Sequence, residues 1–86
     1  MIDHDKVIQE LCEKYKNEDC IFSDDIFIKH WVIGRYIRNK YIWLGKEVVK
    51  CWCDYYNVLD ADTVSMRIID EVRNTITLQN NLVHQN

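Results

Sequence analysis

Residues 26–44 have the sequence IFIKHWVIGRYIRNKYIWL, which is the longest unbroken helical pattern in the chain. If each residue advances by about 100°, as in an α-helix, seven of them fall on one arc that we expect to face the core. These seven residues are Ile26, Phe27, His30, Ile33, Gly34, Ile37 and Tyr41. A neighbouring side of the same helix carries Ile28, Trp31, Arg35, Arg38 and Ile42. The pattern therefore predicts a central amphipathic helix with neighbours on two sides.

The composition favours a single all-α domain. The 86 residues include no proline and only two glycines, so the tight turns of a many-stranded fold are scarce. A hydrophobic content of 48% is typical of a globular protein. We predict a compact bundle of about four helices over residues 1–78. Residues 79–86, QNNLVHQN, have no sustained period and are predicted to form a flexible tail.

Capping residues predict where the helices begin and end. Asp3 is expected to cap the first helix, and Ser23, which two acids follow, is expected to cap the central one. The central helix should end between Asn39 and Gly45, because both residues leave helical geometry at little cost. A third helix is predicted from about residue 46 to residue 56.

The first and fourth helices each have a clear apolar stripe. The stripe of the first helix consists of Val7, Ile8, Leu11 and Tyr15, with Cys12 beside it. The fourth helix is predicted to begin at Asp60 or Asp62 and to end near Thr77. Its inward-facing residues are expected to be Val64, Ile68, Ile69, Val72 and Ile76.

The net charge of −3 is unevenly distributed along the chain. Residues 1–26 carry eight acids and three bases, residues 27–53 one acid and six bases, and residues 54–86 five acids and two bases. A fold that lays the acidic ends against the basic middle would neutralise both. No run approaches the 18 or so apolar residues of a membrane span, and the acidic N-terminal segment does not resemble a signal peptide. We therefore expect a cytoplasmic protein that does not enter the membrane.

Four cysteines, at positions 12, 20, 51 and 53, do not match the ligand spacing of a zinc site. In a helix, the two sulfur atoms of the CWC sequence at 51–53 would point about 200° apart. Reduced thiols are the favoured interpretation, and a disulfide or a metal site is the alternative. We predict no metal and no cofactor.

Two short motifs are separated by about twenty residues. The first is GRYIRNKYIWL, in which Gly34, Ile37, Arg38 and Asn39 are the defining residues, and the second is DTVSMRII, which is defined by Asp62, Ser65, Ile68 and Ile69. Over residues 27–76 the chain resembles a group of small uncharacterised bacterial domains with the pattern GxxIRNxxxLW followed by DDxSxxII. Here Trp43 and Leu44 stand in reverse order, and Thr63 replaces the second acid. The resemblance implies a shared helical fold and no particular reaction.

Six residues are predicted to have structural roles. Gly34 lies within the apolar arc, where a missing side chain lets another helix come close. Arg38 and Asn39 are expected to pair with Asp62 and Ser65, because a guanidinium binds a carboxylate through two donors. This clamp would join the central helix to the fourth. His30, near the centre of the arc, is expected to be a neutral imidazole bonded to a carbonyl or a tyrosine, with a ligand or catalytic role as the alternative.

The remaining aromatic and basic residues of the middle segment suggest a binding surface. Eight of the ten aromatic residues lie between positions 27 and 56, and Trp, Tyr and Arg dominate the energy of protein interfaces. We predict a protein-binding surface that consists of Trp31, Arg35, Arg38, Lys40 and Trp43. The same mixture over residues 29–50 would suit nucleic acid, although the acidic net charge weighs against that alternative.

No motif of a known catalytic site is present, and we predict that the chain is not an enzyme. The function that the sequence favours is a small protein-binding module that acts as an adaptor, a regulator or an inhibitor of another protein. Such a module is compatible with a phage or mobile-element protein that blocks a host factor. The identity of the partner, and whether the chain also forms a homodimer, are left open by the sequence.

Overall fold

The computed structural model describes residues 2–84 of the chain, and the side chains of residues 2–82. Helix α1 (His4–Tyr15) is followed by a 3₁₀ turn (Asp19–Phe22), and the central helix occupies residues 26–42. Helix α3 (Lys46–Tyr56) and helix α4 (Ala61–His84) complete the fold. No strand occurs in residues 2–84, and the predicted all-α bundle is confirmed.

The central helix is not a regular α-helix. Two π-helical segments, Ile28–Gly34 and Arg38–Ile42, flank a short α-helical segment, α2 (Arg35–Ile37). At its end, Trp43 N donates to the carbonyl of Arg38, five residues earlier, at 2.7 Å. A π-helix has more residues in each turn than an α-helix, because its hydrogen bonds join residues five apart. The direction in which each side chain points therefore departs from the 100° pattern.

This change of winding corrects the predicted core face of the central helix. Ile26 and Phe27 were expected in the core, yet they are 67% and 62% exposed. Ile42, which we assigned to the neighbouring side, is completely buried together with Ile33 and Ile37. The spacing from 33 to 37 to 42 alternates four and five residues, as a mixed α and π winding requires. The inward face thus follows the hydrogen bonding and not the α-helical period.

The predicted start of the central helix was two residues early. Ser23 Oγ accepts a hydrogen bond from Asp25 N at 3.1 Å, but the chain there is not yet helical. Asp25 is the residue that caps the helix, because its carboxylate accepts from Phe27 N at 2.9 Å. After the helix, Gly45 adopts a φ of +130°, which a residue with a side chain rarely adopts.

The other helices begin where the sequence indicated. Asp3 Oδ1 accepts from Lys6 N at 3.1 Å and caps α1, and Asp60 Oδ1 accepts from Thr63 N at 2.7 Å at the start of α4. Helix α3 has the predicted bounds and is followed by the cap residue Asn57, whose φ is +57°. Helix α4 continues to His84, beyond the predicted end near Thr77, and residues 77–82 are exposed. Of the predicted tail, residues 85–86 lie outside the described residues.

Helix α4 is the element on which the core is built. It packs against α1, α3 and both π segments of the central helix. Its predicted inward residues are all confirmed as buried, together with the predicted stripe of α1. Arg73 of α4 also donates to the carbonyls of Ile21 and Ser23, which fastens the 3₁₀ turn to the bundle. The central helix is therefore one of the elements that pack around α4.

The thiols of Cys12, Cys20 and Cys53 are not in disulfide bonds. Cys12 is buried in the core, and burial raises the pKa of its thiol above the ordinary value.

Within residues 2–84, no helix is both long and apolar enough to cross a lipid bilayer.

Candidate protein-interaction face

The central helix turns a row of large apolar side chains toward solvent. Ile26, Phe27, Trp31 and Val32 are 67%, 62%, 55% and 51% exposed, and the exposed Arg35 follows them. We refer to these five residues as the outer strip. Phe27, Trp31 and Arg35 are spaced four residues apart, which places neighbours on one side of a helix. Such a concentration of exposed apolar surface is typical of interaction sites.

The two ends of the outer strip differ in charge. Asp24 and Asp25 precede it, and the side chain of Asp24 is 98% exposed, with a single distant ion pair to Arg73 at 3.8 Å. Arg35 closes the other end, and within the described part of the chain its guanidinium has no ion pair or hydrogen bond. The strip therefore runs from an acidic end to a basic end with apolar side chains between them.

Behind the outer strip, Arg38 forms the predicted clamp with α4. The guanidinium is 2% exposed, Nη1 donates to Ser65 Oγ at 2.9 Å, and Nη2 donates to the carbonyl of His30 at 2.8 Å. Nε lies 3.4 Å from Asp62 Oδ1 but has no hydrogen-bond partner there. The Trp43 ring covers the guanidinium at 5.3 Å. A buried cation is thus held by one carboxylate, one hydroxyl and one carbonyl.

Gly34 makes room for this clamp. A Cβ atom at position 34 would lie 2.7 Å from Arg38 Nη1 and 2.7 Å from the Lys29 carbonyl oxygen, and 3.4 Å from Ser65 Oγ. The first two of these atoms belong to the central helix itself, and Ser65 Oγ of α4 is at contact distance. Gly34, Arg38, Asp62 and Ser65 are residues of the two sequence motifs, which meet here in space.

Burial corrects two of the predicted assignments in this region. Arg38 was placed on the partner-binding surface as well as in the clamp, and its burial leaves only the clamp. Asn39 was expected to share in the clamp, but it is exposed, and within the described part of the chain its side chain makes no hydrogen bond. The reason is geometric, because consecutive residues of a helix point to different sides.

Lys40 and Trp43 are exposed, as predicted, but they do not join the outer strip. Lys40 Nζ lies over the rings of Tyr36 and Tyr41, 5.6 Å from each centroid, and donates to Tyr36 OH at 3.2 Å. Trp43 is 51% exposed, follows the last helical residue and covers Arg38. The five residues that we predicted as one surface therefore occupy three places, and Trp31 and Arg35 alone share the outer strip.

His30 does not lie at the centre of the core. It is half-buried, and its ring stands edge-on to the Trp31 indole with centroids 4.7 Å apart. Within the described residues, the imidazole lacks the predicted bond to a carbonyl or a tyrosine. The backbone carbonyl of His30 contributes instead, as an acceptor for Arg38. The structural role assigned to His30 thus belongs to its main chain.

His4 forms a polar junction of three helices. Its Nε2 lies 2.8 Å from Glu71 Oε2, and its Nδ1 lies 3.1 Å from Asp5 Oδ1. Tyr56 OH donates to the same Glu71 oxygen, and the His4 ring stacks on Tyr55 with centroids 4.6 Å apart. Burial lowers the pKa of His4, but the hydrogen bonds to both carboxylates outweigh it, and the net pKa is raised above 6.5. No sequence spacing pointed to this junction, because its members are distant along the chain.

Among the described residues, no group of three or more His, Cys, Asp or Glu side chains could hold a metal ion.

The comparisons with known proteins gave no match to a protein-family model, to a curated protein or to a solved structure.

Proposed function

We propose that this chain is a protein-binding module, and that the outer strip is the surface with which it binds a partner protein. The observation that carries the proposal is the exposure of Phe27 and Trp31, by 62% and 55%, on one side of a helix whose opposite side is completely buried. Aromatic residues and arginine are enriched among the residues that dominate binding energy. Adaptor, regulator and inhibitor are the roles compatible with such a module.

The spacing of the strip favours insertion into a groove. A helix that binds in this way presents anchor residues at positions i and i+4, followed by further residues on the same side. Phe27 and Trp31 are such a pair, and Ile26 and Val32 widen the apolar surface beside them. We propose that the partner offers an apolar groove of about one helix width.

The charge beside the anchors indicates how the rim of that groove is built. Arg35 is exposed and lacks an internal partner in the described part of the chain, so its guanidinium is available for a bidentate contact with a carboxylate. An acidic residue on the rim, next to the position of Trp31, would satisfy this cation. Such rim contacts contribute more to orientation and association rate than to affinity.

Protein is a better partner than nucleic acid for this surface. Of the six cations between residues 27 and 53, Arg38 is buried against Asp62 and Lys50 is paired with Asp54 at 2.9 Å. The charge that remains on the surface of this segment is therefore lower than the sequence count suggested. Nucleic-acid binding depends on a row of cations that neutralise phosphates, and four scattered cations do not supply one.

Comparative affinity capture from the source organism tests the proposal. Three baits are needed: the unchanged chain, the double variant Trp31→Ala with Arg35→Glu, and the control Leu59→Ala, which removes a side chain that is 98% exposed but lies off the strip. We expect a protein that the unchanged chain and the control retain and that the double variant loses. Equal retention by all three baits would refute the outer strip as the binding surface.

A salt titration with a nonspecific DNA duplex tests the nucleic-acid alternative separately. We expect no binding even at low salt. Binding at low salt that falls steeply as salt increases, and that survives in the double variant, would replace the proposal with a nucleic-acid function.

A further inference from the structure

The outer strip is complementary to itself. Its acidic end, at Asp24 and Asp25, and its basic end, at Arg35, are separated by about three helical turns with apolar side chains between them. Two copies that lie antiparallel along their central helices would bring the acidic end of each copy to the basic end of the other. A parallel arrangement would oppose like charges at both ends, which is unfavourable.

We propose that the free protein pairs with a second copy of itself through the outer strip, in an antiparallel arrangement about a two-fold axis near Trp31. This inference rests on the proposed function in that it uses the same surface, and it adds that self-pairing competes with the binding of another protein. A two-fold interface is formed by the same patch on both subunits, so each favourable contact occurs twice. The apolar residues Phe27, Trp31 and Val32 would be covered in the pair.

Two features of the strip favour a second copy as its occupant. The first is the exposed Asp24, whose distance of 3.8 Å from Arg73 leaves its carboxylate open to a stronger cation contact. The second is Arg35, which has no internal partner within the described residues. In an antiparallel pair Arg35 gains the counter-ion that it lacks within its own chain, and Asp24 gains a cation in addition to the distant Arg73.

The small area of the strip sets the expected strength of pairing. Stable interfaces cover about 800 Å² on each partner, and a single row of five side chains covers less. We therefore expect a dimer with a dissociation constant of about 10–100 μM, which exchanges with monomer and leaves the surface accessible.

Sedimentation equilibrium of the full chain from about 5 μM to 1 mM tests the pairing over that range. The expected result is a monomer–dimer equilibrium, and a monomer at every concentration would overturn the proposal. Trp31→Ala should raise the dissociation constant about tenfold or more, because an aromatic residue at the centre of an interface contributes most. The control Leu59→Ala should leave the constant unchanged, and an equal effect of both variants would place the dimer contact elsewhere.

Charge reversal tests the antiparallel arrangement. Asp24→Lys and Arg35→Glu should each weaken pairing about fivefold or more, since each change sets two repulsive pairs in the dimer. A mixture of the two variants should form a heterodimer at least as strong as the original pair, because every contact then joins opposite charges. Failure of the mixture to pair would overturn the antiparallel arrangement.

Circular dichroism separates these outcomes from misfolding, since both substituted side chains are exposed and the helical signal should be unchanged. The outcome is also distinguishable from that of the proposed function. A monomeric chain that still captures a partner through Trp31 refutes only the self-pairing, whereas a dimer that captures no other protein refutes only the hetero-partner.

Discussion

Arg38 donates a hydrogen bond from Nη1 to Ser65 Oγ at 2.9 Å, and this contact fastens the second π segment of the central helix to the first turns of α4. The guanidinium is 2% exposed, so most of its solvation is lost in the fold. Ser65 in turn donates to the carbonyl of Asp62 at 2.8 Å. The clamp fixes the rotation of the central helix, and that rotation decides which residues form the outer strip.

Asp62→Asn should destabilise the fold although the side chain is 58% exposed. Among the described residues, Asp62 is the one carboxylate paired with the buried Arg38, and uncompensated buried charge is expensive. We expect a loss of about 1–3 kcal/mol in the free energy of unfolding, measured by urea denaturation. Asp70→Asn, an exposed acid on the same helix, is the control and should change the stability by less than about 0.5 kcal/mol. Equal effects would show that Asp62 does not stabilise Arg38.

Ile42→Ala should lower the stability by about 2–5 kcal/mol, because Ile42 is completely buried and its truncation leaves a cavity. Ile26→Ala should change it by less than about 0.5 kcal/mol, since Ile26 is 67% exposed. If the central helix were an uninterrupted α-helix, Ile26→Ala would cost more stability than Ile42→Ala. Chemical denaturation of the two variants therefore tests directly which side of the central helix faces the core.

Gly34→Ala should also destabilise the chain. Alanine is the better helix former by about 1 kcal/mol, but its Cβ would overlap Arg38 Nη1 and the Lys29 carbonyl, and overpacking costs about 1–3 kcal/mol. We expect a lower urea concentration at the midpoint of unfolding, with an unchanged slope of the unfolding free energy against urea concentration. Asn39→Ala, at an exposed position of the same helix, should be neutral or slightly stabilising. A stabilised Gly34→Ala variant would mean that Arg38 and the Lys29 carbonyl do not crowd position 34 in solution.

The stability should depend on pH through His4. Its pKa is raised in the folded chain, so protonated His4 stabilises the fold fully below its unfolded pKa of about 6.5, and that contribution is lost as pH rises through the folded pKa. The unfolding free energy of the unchanged chain relative to His4→Gln should therefore fall between pH 5.5 and 8.5. We expect a fall of at most about 1 kcal/mol, because Glu71 is partly exposed. If the difference in unfolding free energy between the two chains does not change with pH, the ion pair between His4 and Glu71 is contradicted.

The helices α1 and α4 were predictable because their capping residues and apolar stripes agree with each other. Asp3 precedes the stripe from Val7 to Tyr15 in α1. Asp60 likewise precedes the stripe from Val64 to Ile76 in α4. The clamp was also predictable, since a glycine, an arginine, an aspartate and a serine at helical spacing suggest a close, polar contact. Local patterns contain this information because each depends on a single helix or on its first turn.

The winding of the central helix was not predictable from a fixed period. Residues 26–44 fit an α-helical arc, but packing against α4 at Gly34 and Ile42 is achieved with π-helical hydrogen bonds, which move Ile26 and Phe27 outward. The His4 junction was missed for another reason. Glu71 and Tyr56 lie far from His4 in sequence, and only the tertiary packing brings them together.

Photo-cross-linking from position 31 shows whether the outer strip contacts another polypeptide. A photoreactive phenylalanine analogue replaces Trp31 in one variant and Leu59 in another, both at exposed positions, and each is illuminated in extract of the source organism. Binding through the outer strip predicts a discrete adduct with a second polypeptide from position 31 and none from position 59. The same adduct from both positions, or from position 59 alone, would contradict it.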